Sequence, residues 1–259
     1  MNEPLSNSEK VRYARHLTLP QVGVKGQEKL KNSSILVVGA GGLGSPSLLY
    51  LAAAGIGKIG IIDDDIVEIT NLQRQVIHGT KSLGTSKVSS AKEKLLDLNP
   101  EISITTFNSR INIANALHII NQFDIIIDGT DNFTTRYLIN DACEILGKPW
   151  IFGSIHQFEG QVSVFNLENG LNYRDLFPEM PPIELAPNCA EAGVLGVLPG
   201  IIGSIQSTEA IKIILKIGDI LSGKLLVFNA LNMSSRILKF NANASRPLVT
   251  ELSLEVEYC

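Results

Sequence analysis

An apolar run, Ile35 to Val38, leads directly into Gly39-Ala-Gly-Gly-Leu-Gly44 and then into a helical stretch, Leu43 to Ala54. A strand that meets a helix through glycines at this spacing has few folds open to it. The glycines let backbone approach phosphate at the helix N-terminus, and the turn sends the chain back over a parallel neighbour. The same alternation then repeats. Ile59 to Ile62 reads as a second buried strand, and Ser86 to Leu98 as a helix with Val88, Ala91, Leu95 and Leu98 on one face, stopped by Asn99-Pro100. Strand Ile102 to Phe107, a helix near Ala114 to Ile120, strand Asp124 to Ile127 and helix Phe133 to Leu146 continue the series. Crossovers this short predict an α/β fold with a doubly wound, mainly parallel sheet.

Beyond Trp150 the pattern changes. Ile151 to Ile155 and Gly160 to Phe165 are strands with little between them, as an antiparallel pair would be. Residues 168–191 carry Pro178, Pro181, Pro182 and Pro187 without periodicity and read as a crossing loop, the kind of long loop that usually serves function. Helix Ile201 to Lys216 and strands Lys224 to Phe228 and Ser235 to Phe240 close the domain. At the other end, Ser6 with Glu9 forms a capping box opening a helix to about Leu17, and a short helix follows at Gln27 to Leu30. The expected organisation is an N-terminal helical arm (1–32), one Rossmann-like domain (33–243) with antiparallel C-terminal strands, and a tail (244–259). With 44% hydrophobic residues in 259, one full core is within reach.

Several function classes lose ground on composition. A net charge of −4 argues against nonspecific nucleic-acid binding. The opening Met1-Asn-Glu-Pro-Leu-Ser lacks the basic and apolar regions of a signal peptide, and the longest apolar stretch, Ala192 to Ile205, is too short and too glycine-rich to span a bilayer. We expect a cytoplasmic protein without membrane or nucleic-acid partners. Cys143, Cys189 and Cys259 form no disulfide framework and cannot make a four-cysteine zinc site, and His16, His78, His118 and His156 lack metal-ligand spacing.

The chemistry lies between Gly39 and Asp131. Gly39, Gly41 and Gly44 with Asp63 at the end of the second strand would suit a dinucleotide as well as a triphosphate, the aspartate taking ribose hydroxyls in either case. The next signals separate the two. Arg74 follows in Asn71-Leu-Gln-Arg-Gln75, rich in hydrogen-bonding side chains. Lys87 occupies the first turn of a helix, where the macrodipole disfavours a cation by roughly 0.3–1 kcal/mol, with no compensation visible in the sequence. Asp131, in Asp128-Gly-Thr-Asp-Asn132, stands just after the fourth strand, where it could cap a helix or, in the crevice at the carboxyl ends of the strands, hold Mg²⁺ against phosphate.

Together with Arg12-Tyr-Ala-Arg15 and Cys189-Ala-Glu-Ala-Gly193, these motifs resemble the MoeB/ThiF (HesA) family, relatives of the ubiquitin-activating enzymes, from about residue 8 to about 240. Tyr173-Arg-Asp-Leu-Phe-Pro178 and Cys189 through Gly200 are similar to the MoeB type. The resemblance implies ATP-dependent adenylylation of the C-terminal glycine of a ubiquitin-like sulfur carrier ending in Gly-Gly. It implies phosphate contacts from Gly39, Gly41, Gly42, Gly44, Asn71, Gln73, Arg74 and Lys87, ribose contact from Asp63 and Mg²⁺ at Asp131. It also implies a homodimer in which Arg15 reaches the partner's phosphates. Cys189 is either a thiol that links to the carrier or a small packed residue, and both readings stand. The client could be a molybdopterin-synthase carrier or a thiamine-pathway one, and an NAD(P)-binding or inactive nucleotide-binding protein is the reading of another class. Two features depart from the family pattern. The first Cys-x-x-Cys zinc pair falls on Asn172-Tyr-Arg-Asp175 and residues 241–247 hold no cysteine, so no zinc site is expected. The closing segment Val249 to Cys259 resembles a linker to a rhodanese domain, which leads us to expect a separate sulfur donor protein.

Overall fold

Successive residues of the first strand, β1 (Ser34–Val38), point to opposite sides of a sheet, and both sides are buried: Ile35 and Val37 enter one core, Leu36 and Val38 the other. That is the signature of a strand sandwiched between helical layers. The computed structural model describes residues 3–181, 193–246 and 248–252. Its further strands are β2 (Lys58–Ile62), β3 (Ser103–Phe107), β4 (Ile125–Asp128), β5 (Trp150–His156), β6 (Glu159–Phe165), β7 (Lys224–Asn229) and β8 (Ser234–Lys239). They form one sheet in the order β3-β2-β1-β4-β5-β6-β7-β8. Pairings from β3 through β5 are parallel, and those from β5 through β8 are antiparallel. The sequence predicts this mixture, and the fold class stands.

The helices are α1 (Asn7–Arg12), α2 (Ala14–Leu17), α3 (Gly23–Lys31), α4 (Gly44–Ala54), α5 (Lys87–Leu98), α6 (Ala116–Ile120), α7 (Phe133–Leu146), α8 (Tyr173–Leu176) and α9 (Leu198–Leu215). On the first face lie Leu30 of α3, Leu48 and Leu51 of α4, Val88, Ala91 and Leu95 of α5, and Leu198 and Ile202 of α9. The second face is covered by Ile119 and Ile120 of α6, Tyr137 and Leu138 of α7, and Tyr173 of α8. There Trp150, Phe152, Phe165 and Tyr173 make an aromatic cluster with ring centroids 5.3–5.9 Å apart. α9 crosses α4 closely, with the Ser47 hydroxyl donating to the Gly203 carbonyl at 3.1 Å. A Cβ at Gly203 would stand 2.6 Å from the Leu43 carbonyl oxygen, so only glycine permits this approach.

Several elements differ from their sequence-based bounds, α3 among them, which begins at Gly23 rather than at Gln27. The N-terminal helix has its capping box but breaks at Tyr13, whose ring is buried against Gly55 and whose hydroxyl accepts from Asn99 Nδ2 at 2.9 Å. Within the expected crossing loop, α8 forms a single turn. Asn172 caps it by accepting from the Arg174 N–H, while Asp175 accepts from the Asn172 N–H. Four residues are too few to show periodicity, and residues 182–191 of that loop lie outside the described residues. α9 begins at Leu198, with Pro199 in its first turn, where the missing N–H costs no helical hydrogen bond.

Candidate active site

The strand order reverses between β1 and β4, and the crevice beyond their carboxyl ends is where doubly wound sheets bind ligands. Here the two strands meet backbone to backbone. Gly39 has φ +94°, and a Cβ on it would lie 2.8 Å from the Gly129 carbonyl oxygen. Gly44 opens α4 so close to Gly39 that a Cβ would stand 1.9 Å from the Gly39 oxygen. Side chains are thereby excluded from the switch point, leaving a cleft of about 480 Å³ that includes Gly39, Gly41 and Gly42 in its lining. At the start of α4 the Ser45 N–H already donates to the Gly41 carbonyl at 2.9 Å and Pro46 has no N–H, so an anion would meet the backbone of Gly41 and Gly42, which line the cleft.

Charged groups ring this cleft. Lys87 begins α5 and is 6% exposed, and its ammonium meets the Asp65 carboxylate at 2.7 Å. This is the compensation that the sequence alone did not reveal, and it corrects that expectation: the cation at a helix start is paired. Asp65 itself remains largely in solvent, so the pair leaves Lys87 at the cleft wall. Asp63 accepts from the Ala40 N–H at 2.7 Å and the Asp65 N–H at 2.9 Å. Burial pushes its pKa above the ordinary carboxylate value, against the opposing pull of the Ala40 N–H and the Lys87 charge. Gln73 and Arg74 line the cleft as well, with Arg74 Nη1 donating to the Thr70 carbonyl at 3.2 Å. Asp131 also lines it, and the capping role open to it in sequence belongs instead to Asn132, which accepts from the Thr135 N–H at 2.8 Å.

Sequence reasoning passed over several residues that belong to the same cleft. Asp64 and Asp65 extend Asp63 into a group whose carboxylate oxygens lie within 4.8 Å of one another, and a run of three aspartates after a strand was the available signal. Arg110 and Arg136 add cations. Arg136 pairs with Asp128, fully buried at the end of β4. An acidic residue closing an otherwise apolar strand could have prompted a search for that partner. His78 is buried, its Nε2 2.9 Å from the Ala40 carbonyl and its Nδ1 2.9 Å from the Ser90 hydroxyl. A carbonyl only accepts, so Nε2 carries the proton and Nδ1 accepts from Ser90. The ring thus ties α5 to the glycine turn. Burial holds its pKa below the ordinary value.

Other expected site residues are positioned differently. Gly44 acts by close packing and does not line the cleft. The side chain of Asn71 accepts from the Glu68 N–H at 3.2 Å in a short 3-10 turn and is likewise absent from the lining. Arg15 is exposed on α2, away from its own chain's cleft. Cys189 lies outside the described residues. Cys143 is core, as its helical position suggests, with its thiol pKa raised by burial. Where the first cysteine pair of the family pattern would fall, Asp175 accepts from the Asn243 N–H at 2.9 Å and from Arg246 Nε at 3.2 Å. Glu144 binds Arg246 Nη1 at 2.8 and 3.0 Å, so ionic contacts join these two stretches. Among the described residues no helix is long and apolar enough to cross a membrane.

A model of the ThiF family matches residues 13–248. A probable adenylyltransferase/sulfurtransferase MoeZ of Mycobacterium tuberculosis is 51% identical over 259 residues, covering 98% of this chain and 66% of the relative. A probable molybdopterin-synthase adenylyltransferase of Porphyra purpurea is 56% identical over 231 residues, covering 88% and 60%. The sulfur carrier protein adenylyltransferase of Thermus thermophilus is 48% identical over 242 residues, covering 92% and 89%. The chain thus spans about 60–66% of the length of the first two and most of the third. Among solved structures, PaaA superposes with a TM-score of 0.79 at 25% identity, covering 93% of this chain and 76% of PaaA. Escherichia coli MccB crystallised with ATP gives 0.79 at 23%, covering 92% and 74%, a likeness of fold. With a family match across nearly the whole described fold and 48% identity to a relative that it covers to 89%, the chain belongs to the ThiF family.

Proposed function

We propose that this protein is an adenylyltransferase that uses ATP and Mg²⁺ to activate the C-terminal glycine of a small ubiquitin-like sulfur carrier, of the molybdopterin-synthase type, with sulfur then supplied by a separate donor protein. One observation carries the reading. A glycine turn packed backbone to backbone against the end of β4 shares a cleft with Arg74, Lys87 and Asp131, a cluster of charges that a hydride-transfer site would not need. The names of the relatives from Porphyra purpurea and Thermus thermophilus support the choice of substrate class.

In this reaction the carrier's carboxylate attacks the α-phosphorus of ATP, the bond from that phosphorus to the bridging oxygen breaks, and pyrophosphate leaves with the electron pair. A terminal carboxyl with a pKa near 3.5 is already ionised at neutral pH, so no general base is required. Alignment and charge neutralisation supply the acceleration. Lys87 and Arg74 offset the negative charge on the transferred and departing phosphates. The walls of the glycine turn hold the triphosphate against α4, and Asp63 takes the ribose hydroxyls. The carboxylate donors of the cleft suit a hard divalent cation, and Asp131 would hold it. When bound, that ion contributes further charge neutralisation. Arg15, exposed on its own subunit, would serve the cleft of a partner in a homodimer.

The test is ATP–pyrophosphate exchange with purified components. Exchange should require both Mg²⁺ and a carrier ending in Gly-Gly. Exchange indifferent to deletion of the last glycine would overturn the substrate, and exchange with a thiamine-pathway carrier alone would reassign the client. For the dimer, an Arg15→Ala subunit and an Asp131→Ala subunit, each inactive alone, should regain exchange on reassembly. No recovery despite proven subunit mixing would remove Arg15 from the site.

A further inference from the structure

Burying a charged pair seldom stabilises a fold, since replacement by well-packed apolar groups is often neutral or better. Asp128 and Arg136 are nonetheless buried, 0% and 7% exposed at the side chain, with Arg136 in the wall of the cleft and Asp128 behind it. Their approach, Nε to Oδ2 at 3.4 Å, makes no hydrogen bond, and both atoms lack a hydrogen-bond partner among the described residues. What the pair does bind is a third residue. Asp128 Oδ1 accepts from the Thr130 N–H at 2.8 Å and from its hydroxyl at 2.6 Å, while Arg136 Nη2 donates to the Thr130 carbonyl at 3.1 Å. Every polar group of Thr130 is therefore held by one member of the pair or the other.

Both members are themselves fixed. The Arg136 guanidinium lies 5.6 Å from the centre of the Phe133 ring and 5.5 Å from that of Phe152. The Asp128 carbonyl accepts from Gln206 Nε2 at 2.7 Å, and Gln206 sits so tightly against β5 that a Cβ at Gly153 would lie 2.4 Å from it. Strand β4, helix α7 and helix α9 thus converge on the short turn from Asp128 to Thr130. The residue that follows Thr130 is Asp131.

We propose that Asp128 and Arg136 are positioning residues that lock Thr130 and so preset the Asp131 carboxylate for a divalent cation carried by a nucleotide. This rests on the nucleotide reading given above. Neither residue need touch nucleotide or carrier. A clamp of this kind removes from the binding step the entropy that a loose turn would lose on gripping the ion.

Arg136→Lys tests it. The substitution keeps a positive charge opposite Asp128 and removes the guanidinium Nη2 that donates to the Thr130 carbonyl. A second variant, Asp128→Asn/Arg136→Gln, removes both charges together and guards against an unfolded single variant. Amide hydrogen exchange without any ligand should quicken at Thr130 and Asp131 in Arg136→Lys, while Ile126 and Ile127 of β4 stay protected. Unchanged exchange at Thr130 and Asp131 would overturn the clamp whatever the nucleotide does.

Binding of Mn²⁺ with an α,β-methylene analogue of ATP, followed by electron paramagnetic resonance, reads the purpose of the clamp. Affinity should fall about tenfold in Arg136→Lys, within the range of couplings in one network, and the loss should vanish in an Asp131→Asn background. An equal loss in both backgrounds is the mark of a merely structural role and would overturn the assignment to Asp131. If the unaltered protein binds no Mn²⁺–nucleotide, the nucleotide reading itself fails, an outcome separate from the exchange result.

Discussion

The two ends of the sheet do different work. In the parallel portion, β3-β2-β1-β4-β5, the strands inside the edge strand β3 are covered by helices on both faces, and charged side chains gather at their carboxyl ends, as Asp63 and Asp128 show. In the antiparallel portion the covering thins strand by strand, until all six residues of β8 are exposed, Ile237 and Leu238 among them. Burial on both sides makes a strand rigid but leaves only its end for function. A strand with uncovered faces offers its sides instead, at the risk of unwanted pairing.

The contrast is sharpest for activity at the parallel end. Lys87→Ala should reduce pyrophosphate exchange by about 10²–10³-fold, the scale of losing one preorganised charge partner. Asp65, already largely in solvent, can rehydrate, so the melting temperature should change little, and a large fall in it would make Lys87 structural. For stability, the border between the two portions should be most sensitive. Trp150→Ala in β5 removes the centre of the aromatic cluster, and we expect a loss of about 3–5 kcal/mol in chemical denaturation.

A smaller effect concerns His78. Its folded pKa is lowered from 6.5 by burial, so between the folded and the ordinary value the unfolded chain binds a proton that the folded chain refuses. Stability from this group is complete above 6.5 and declines as pH falls toward the folded pKa. Asp63 and Asp128, with raised pKa values, act in the opposite sense, taking up protons more readily when folded. Subtracting the profile of His78→Gln cancels them. The difference should shrink as the pH is lowered from about 7 to about 5, and a flat difference would mean that His78 does not enter the fold neutral. Least affected of all should be Ile237→Ser in β8, within about 0.5 kcal/mol of the unaltered protein. A larger loss would mean that β8 is covered in solution.

Both halves of this contrast were partly legible beforehand. Continuous apolar runs such as Ile35 to Val38 announce strands covered on both faces, and the glycine turn gives the crossover. Gly39, Asp63, Arg74, Lys87 and Asp131 do converge on one cleft. The partners of those residues were not legible, because an ion pair such as Lys87 with Asp65 depends on the path of a loop between them. Asp128 with Arg136 was hidden for a related reason: one reads as the opening of the motif after a strand that ends at Ile127, and the other as an ordinary helical arginine. Only their common grip on Thr130, a three-dimensional fact, joins them. α8 escaped notice since a single turn has no period, although Asn172 and Asp175 spelled its cap.

The crossing of α9 over α4 bears on how the chain is made. α9 packs on α3, α4, β5 and β6, although it follows the first of these by more than half the sequence. A ribosome that has released α3, α4 and β1 has therefore exposed a surface including Leu48 and Ile35 for which the missing cover is still to be synthesised. Until Leu198–Leu215 emerges, that face stays wet, and its closure must wait on contacts far apart in the chain, which are slow to form. A truncation before Leu198 should therefore yield aggregate rather than a smaller working domain, which expression and sedimentation of residues 1–197 would check.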